Sequence, residues 1–381
     1  MTKELTRPLT RGKILPRILN FSLPIFAGYL FQQFYNIVDT IIVGRILGVR
    51  ALAAVGSTAS LNYLIIGFCI GLCSGFAIPA AHSYGAGDHK TMRQYIFNSE
   101  VLSLIFAILI TSITLAFCRP LLALMRTPDD ITERAYRYIS IIFGGIPFIL
   151  LFNMVSCVLR SIGDSKTPLV FLIISSVLNI ILDLVFILAC RLDVAGAALA
   201  TIISQGLSAL ACLIYIKREF EILKIEKEER IIRLSYIGRL CLAGVPMGLE
   251  CSITALGAVI LQTATNSLGS AIVAAVSAAT KVQLFFSAPL DALGTAMATF
   301  AGQNAGAGKW KRLRTGVKSS SLMGLIYGAF FWNHGNGGKE HNGCGCRSCL
   351  GIYSGMPVLS CRLDTGGTVS STGFLLWIET A

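Results

Sequence analysis

Long apolar runs separated by short polar segments dominate the hydropathy pattern of this chain. A bilayer core about 30 Å thick requires roughly 20 consecutive apolar residues per helix. Nine such runs lie at about residues 18–44, 51–80, 95–118, 137–159, 168–190, 194–216, 238–265, 271–300 and 316–331, of which the last is short. The pattern therefore predicts an all-α fold, a polytopic membrane protein with nine spanning helices.

The composition agrees with this prediction. Of the 381 residues, 54% are hydrophobic and only 14% are charged, whereas soluble domains carry about 25% charged residues. Eight of the twelve cysteines lie in or beside apolar runs, where a free thiol acts as a small hydrophobic group. We therefore expect no disulfide framework.

The positive charges alternate between successive loops. With the N-terminus in the cytoplasm, the inner segments hold 21 Lys and Arg residues and the outer segments hold seven. Positive residues are retained on the cytoplasmic side, so we expect this orientation in a bacterial inner membrane. Membrane topology then explains the net charge of +12, with basic loops facing anionic lipid. Nucleic-acid binding is not expected.

An internal repeat relates the two ends of the apolar region. Residues 47–56 match residues 268–277 at an offset of 221, and Gly85-Ala86-Gly87 matches Gly306-Ala307-Gly308 at the same offset. Predicted helices one to three thus recur as helices seven to nine in the same orientation. The sequence predicts a first lobe of six helices (1–216), a cytoplasmic interlobe linker (217–237) and an incomplete second lobe of about three helices (238–331).

Several short motifs, in their order along the chain, resemble the multidrug and toxic compound extrusion family over about residues 10–331. They are Pro24 with Gln32-Gln33 and Asp39, Leu47-Gly48 with Ala53-Ala54-Val55-Gly56, Arg160–Pro168, Gly244–Gly248 and Gly302–Gly308. The resemblance implies two six-helix lobes around a central cavity. It also implies secondary active multidrug efflux, in which organic cations and amphipathic toxicants leave in exchange for protons or sodium. We expect a monomer in membrane lipid, without an organic cofactor.

Polar residues inside the predicted spans are the candidate transport site, because charge at bilayer depth usually faces a cavity or a partner. Gln32, Asn36 and Asp39 are spaced to share one face of the first helix, and Asn179 and Asp183 share a face of the fifth. Both aspartates fall at similar depth. Two carboxylates facing one poorly hydrated cavity would favour binding of a cation. Interhelical hydrogen bonding is the structural alternative.

The resemblance adds to this interpretation, because Asp39, Asn179 and Asp183 match an acidic first-lobe cluster of one family branch. In the second lobe, Glu250 and Lys281 could meet near the midplane, either as a buried ion pair or as a further coupling site. Asp291 lies nearer the inner interface and is expected to be a solvated or helix-capping residue. Pro24 removes a helix hydrogen bond, so it is either the hinge that the resemblance implies or a static kink.

No enzyme motif is recognisable. The glycine-rich stretch 302–309 misses the phosphate-binding pattern that ends in Gly-Lys-Ser or Gly-Lys-Thr. The four histidines show no metal-ligand spacing, and no nucleophile and base are paired. We therefore predict a transporter, not an enzyme, that draws on an ion gradient and has no metal site.

Residues 332–381 break the apolar pattern in the middle of the ninth run. Cys344, Cys346, Cys349 and Cys361 lack a paired zinc-ligand spacing. We expect a disordered tail foreign to the family, produced by a frameshift or truncation. Two rival functions therefore remain open: a membrane protein that does not transport, and a lipid-linked saccharide flippase, for which a more cationic cavity would be expected.

Overall fold

A computed structural model describes the backbone of residues 8–125, 127, 129–266 and 270–337. Within these ranges, side chains are not described for residues 129, 259, 261–266, 270–282 and 330–337. The chain divides into two compact units, Met1–Met323 and Gly324–Ala381. The arrangement described below is that of the first unit.

The described residues form ten α-helices. They are α1 Ile14–Ile42, α2 Val49–Ala86, α3 His89–Leu124, α4 Asp129–Gly144, α5 Ile146–Ser161, α6 Lys166–Leu184, α7 Val194–Glu219, α8 Leu234–Asn266, α9 Ser270–Gly306 and α10 Trp310–Gly337. Short π-helical turns, Val43–Leu47 and Val185–Ala189, continue α1 and α6. The fold is an all-α polytopic membrane protein, as predicted.

Seven described helices are long and apolar enough to cross a membrane, and the pair α4 and α5 raises the number to eight if it forms one span. This pair replaces the single helix predicted at 137–159, and its halves meet at 46° at Gly145. The ninth predicted span, 316–331, lies within α10. In the part of the chain that the structure describes, α10 is not among the helices that are long and apolar enough to cross a membrane. Its polar first half, which includes Lys318 and three serines, leaves too short an apolar stretch.

Helix α2 lies at the centre of the unit and packs against α8 and α9 as well as against α3, α4 and α5. Its contact with α8 is made by glycines spaced four apart on both helices. A Cβ on Gly71 or Gly75 would overlap the α8 backbone near Gly248 or Gly244. Small residues at this spacing allow helix backbones to approach closely in a membrane, where lipid supplies no hydrophobic drive between helices.

The buried side chains form two apolar clusters. The larger one runs through α2 to α5 and α7, and includes Phe76 and Phe143. The smaller one joins α1 to α9 and includes Phe21, Ile25 and Phe300. Many large apolar side chains on the outer faces are exposed, among them Leu104 and Ile108 of α3, as expected of helices that face lipid.

The interlobe linker follows α7 as two single turns, Glu221–Leu223 and Lys227–Glu229. It is held against α3 by the buried Glu229, whose carboxylate accepts two hydrogen bonds from the Arg93 guanidinium at 2.6 and 2.7 Å. Asn98 bonds the linker backbone at Ile231 and Arg233. We call this end of the first unit, which carries residues 220–233, the linker end.

The predicted division into two lobes stays a prediction, since both predicted lobes contribute to the unit Met1–Met323. Of the predicted tail, residues 332–337 continue α10. Residues 338–381, with all four tail cysteines, lie outside the described residues.

Candidate functional site

Helices α1 and α6 pack side by side and place Asp39 against Asp183. The two carboxyl groups are within hydrogen-bonding reach of each other. Asp183 is fully buried, and Asp39 is partly buried. The structure therefore brings together the two aspartates that the sequence places at similar depth on separate helices.

Among the side chains that the structure describes, no cationic group forms an ion pair with either aspartate. Asp39 Oδ1 and both carboxylate oxygens of Asp183 are buried and accept no hydrogen bond within the described part of the protein. Two ionised carboxylates have no proton to donate to each other, so a hydrogen bond between them requires a bound proton. Buried polar atoms are normally paired, which makes three unpaired oxygens in one place a functional-site candidate.

Three residues that the sequence analysis did not select surround the pair. Tyr35 precedes Asp39 by one helical turn, and its hydroxyl lies close to the side chains of Gln32 and Gln205. Tyr138 of α4 is buried within electrostatic range of both aspartates. The spacing of four residues between Tyr35 and Asp39 was a usable signal. Tyr138 and Gln205 join only through tertiary packing.

The remaining first-lobe candidates divide into two groups. Asn179 is buried beside α7, where its Nδ2 donates to Thr201 Oγ1 at 3.4 Å and its Oδ1 is unpaired. The Gln32 side chain lies close to Tyr35 and therefore borders the acid pair. Asn36 is exposed, and its backbone carbonyl accepts a hydrogen bond from Thr40 Oγ1.

Both aspartates lie next to a change in helix geometry. The π-helical turn Val43–Leu47 begins one turn after Asp39, and Val185–Ala189 begins two residues after Asp183. Such turns are uncommon and occur frequently at functional sites. The two helices that carry the acid pair therefore both widen at nearly the same point.

The second-lobe candidates are not joined to this pair. Glu250 is exposed on α8, and Asp291 is exposed on α9. The side chain of Lys281, and with it the predicted contact to Glu250, lies outside the described residues. Pro24 is partly buried within a continuous α1, so its role as a hinge stays a prediction.

The glycine-rich stretch at the end of α9 packs against residues of the predicted first lobe at the linker end. Gln303 is fully buried; its Oε1 accepts from Leu9 N at 2.8 Å, and its Nε2 donates to the Ser161 carbonyl at 2.8 Å. Arg312 donates to the carbonyls of Leu9 and Gly12. These bonds tie the N-terminal segment, the α5–α6 connection and α9 together.

The α5–α6 connection has a structural role of its own. Asp164 accepts hydrogen bonds from the backbone N–H groups of Lys166 and Thr167 and from the Thr167 hydroxyl, at 2.9, 3.1 and 2.6 Å. Gly163 adopts a positive φ of 91° before it. The motif 160–168 thus forms the turn and begins α6.

The acid pair has the donor set of a hard-cation site. The unpaired buried oxygens of Asp39, Asn179, Asp183 and Gln205 are carried by α1, α6 and α7, which pack in sequence. Oxygen ligands suit a proton or a hard cation such as sodium. Among the described residues, no group of three His, Cys, Asp or Glu side chains could hold a metal ion.

The comparisons with known proteins define this chain as a multi-pass helical membrane transporter that handles small molecules, not an enzyme. The MatE family model matches residues 24–185 and 246–332. The chain therefore belongs to the MatE family, and the match ends close to residue 331, where the sequence resemblance also ends.

Relatives and solved structures agree with this assignment. The chain is 32% identical over 315 residues to "Probable multidrug resistance protein YpnP" of Bacillus subtilis, covering 80% of this chain and 68% of that protein. It is 25% identical to a "FAD transporter" of Shewanella oneidensis over 83% of this chain and 70% of that protein. An outward-facing multidrug resistance MATE transporter superimposes with a TM-score of 0.78 at 25% identity, covering 84% of this chain and 71% of that one.

Proposed function

We propose that this protein is a secondary active multidrug exporter that exchanges amphipathic or cationic toxicants for protons or sodium. The observation that carries the proposal is the contact between Asp39 and Asp183, whose buried oxygens accept no hydrogen bond in the described structure. Such a pair holds a cation when one is bound and carries excess negative charge when it is not.

Coupling follows from the position of the pair between two helices. Binding a proton or sodium removes the repulsion between the carboxylates and favours close packing of α1 against α6. Release of the cation restores the repulsion and favours a different arrangement of the two helices. The ion thus shifts a conformational equilibrium by its different affinity for the two states.

The proposed orientation places the N-terminus and the linker end in the cytoplasm of a bacterial inner membrane. The basic residues of the linker and of the α9–α10 connection support this assignment. Reporter fusions after residue 219 and after residue 193 test it. We expect activity of a cytoplasmic reporter at the first position and of a periplasmic reporter at the second.

Efflux tests the proposal directly. In a drug-sensitive bacterial strain, the parent chain should raise resistance to organic cations, and Asp39→Asn and Asp183→Asn should each abolish the increase. The matched control is Asp130→Asn, because Asp130 is an exposed aspartate at the start of α4. Resistance that survives in both site variants would exclude the acid pair as the coupling site.

The same assay separates the alternatives. A parent chain that reaches the membrane but gives no resistance favours a protein that does not transport. A saccharide flippase would be expected to bind its anionic diphosphate substrate through cationic side chains, and the acid pair speaks against that substrate class. In proteoliposomes, substrate uptake driven by a proton gradient or a sodium gradient identifies the coupling ion.

A further inference from the structure

A cavity lies apart from the acid pair, at the linker end. Its volume is about 610 Å³, within the range of small-molecule sites. Helices α3, α5 and α7 form its walls, and the linker covers one end. None of its lining residues belongs to the transport site described above.

The wall of this cavity changes from charged to apolar with depth. Lys217, Lys224 and Arg230 are exposed at the linker end, and the carboxylate of Glu100 lies within electrostatic range of Lys217 and Arg230. The charged rim therefore carries three positive groups against one negative group. Further along α3, Leu104 and Ala107 form part of an apolar wall.

The three rim cations form at most weak ion pairs in the described structure and are available to a ligand. Lys224 pairs only with the exposed Glu221, at 3.6 Å, which contributes little in water. In the described structure, neither Lys217 nor Arg230 forms an ion pair within 4 Å. The rim thus keeps an excess of positive charge, since Glu100 is the one carboxylate among the lining residues.

Ser103 marks an intermediate depth. Ser103 is 6% exposed and lines the cavity, and its hydroxyl has no hydrogen-bond partner within the described part of the protein. A buried hydroxyl normally has a partner. Ser103 lies one turn along α3 from Glu100, and Ala107 lies a further turn away, so charged, polar and apolar zones follow one another over roughly 10 Å.

The cavity borders the lipid-facing surface. Leu104 lines it and is 59% exposed, in one row with Ile108, which is 58% exposed. Ile231 and Ile232, next to Arg230, are also exposed apolar residues. A molecule could therefore enter sideways from the bilayer while its polar end stays at the linker end.

We propose that this cavity binds an anionic diacyl phospholipid. The phosphate lies among Lys217, Lys224 and Arg230, an ester oxygen accepts a hydrogen bond from the Ser103 hydroxyl, and one acyl chain follows the wall at Leu104 and Ala107. Basic pockets between membrane helices bind anionic headgroups in this way. The bound lipid would join the linker to α3 and α7 and so stabilise the first lobe.

Thermal unfolding of the purified full chain in neutral detergent tests the proposal. Dioleoyl phosphatidylglycerol should raise the unfolding temperature more than dioleoyl phosphatidylcholine, and inorganic phosphate should have no effect. In the variant Lys217→Gln/Lys224→Gln/Arg230→Gln, apparent affinity for the anionic lipid should fall by on the order of tenfold or more. Ala107→Phe, which fills the apolar wall, should reduce it while keeping every charge.

The matched control is Arg218→Gln/Lys227→Gln/Lys311→Gln, which removes three exposed basic residues that do not line the cavity. It should keep the preference for the anionic lipid. Equal stabilisation by both lipids, an effect of phosphate alone, or an unchanged preference in both the rim and the wall variants would overturn the proposal. Size-exclusion profiles confirm that each variant is folded.

Discussion

A Cβ atom on Gly85 would overlap the carbonyl of Gln303, and a Cβ atom on Gly306 would overlap the carbonyl of His82. These residues are related by the internal offset of 221, which converts 82 to 303 and 85 to 306. The ends of α2 and α9 therefore meet in a symmetric contact between two pairs of equivalent residues. Glycine at both positions allows the helix backbones to touch and closes the linker end.

Gly85→Ala and Gly306→Ala should each push these helix ends apart, since the added methyl group meets backbone that cannot rotate away. Overpacking of this kind costs about 1–3 kcal/mol. Spin labels introduced through an unnatural amino acid at the exposed positions 90 and 311 should show a longer distance in both variants. The controls are Gly56→Ala in α2 and Gly294→Ala in α9, where a methyl group meets nothing. Unchanged distances in the site variants would contradict a tight contact.

Gln303→Leu should loosen the same end by a different route. The substitution leaves the buried Leu9 N–H and Ser161 carbonyl without partners, and each unpaired group costs about 1–3 kcal/mol. We expect a lower unfolding temperature and faster proteolysis within residues 8–13. Lys309→Gln removes an exposed bond to the Thr10 carbonyl and should change either measurement little. Equal effects of the two substitutions would argue against a special role for Gln303.

Asp183→Asn should separate function from stability. The substitution removes a buried charge that accepts no hydrogen bond from the described residues, so the unfolding temperature should stay the same or rise while efflux is lost. An aspartate held for structural reasons behaves in the opposite way. Asp164→Asn weakens the hydrogen bonds to Thr167 that begin α6 and should lower the unfolding temperature by an amount corresponding to about 1 kcal/mol. A large loss of stability in Asp183→Asn would favour the structural alternative.

Removal of the Glu229 charge should weaken the linker in a pH-dependent way. The hydrogen-bonded Arg93 guanidinium lowers the pKa of the Glu229 carboxyl below its ordinary value. The stabilisation is therefore complete above the ordinary pKa of glutamate, about 4.3, and is lost as the pH falls through the lower folded-state pKa. Glu229→Gln should destabilise the parent by about 2 kcal/mol near pH 7.

Unfolding temperatures measured between pH 7 and pH 4 check this expectation. The difference between the parent and Glu229→Gln should be constant near neutrality and should shrink toward the acid end. Glu228→Gln is the control, because Glu228 is an exposed neighbour in the same turn. A difference that grows as the pH falls would have the wrong sign for a lowered pKa.

The order and approximate position of the spanning helices could be predicted from the sequence because each spanning helix satisfies its own backbone hydrogen bonds and needs only a long apolar run. The break between α4 and α5 was missed, since a single apolar run gives no measure of an angle at Gly145. The effect of the polar first half of α10 on the length of its apolar stretch was underestimated for a similar reason. Hydropathy averaged over a window does not show at which residue a helix changes from polar to apolar.

The candidate site shows the same division. Asp39, Asp183 and Asn179 could be selected from the sequence because charge and amide groups are costly at bilayer depth, whatever their surroundings. Tyr138 and Gln205 could not be selected, because the role of a tyrosine or glutamine in a spanning helix depends on which residues pack beside it. Whether two acids on separate helices touch, and whether any donor satisfies them, depends on helix rotation, and helix rotation was decided by the tertiary structure alone.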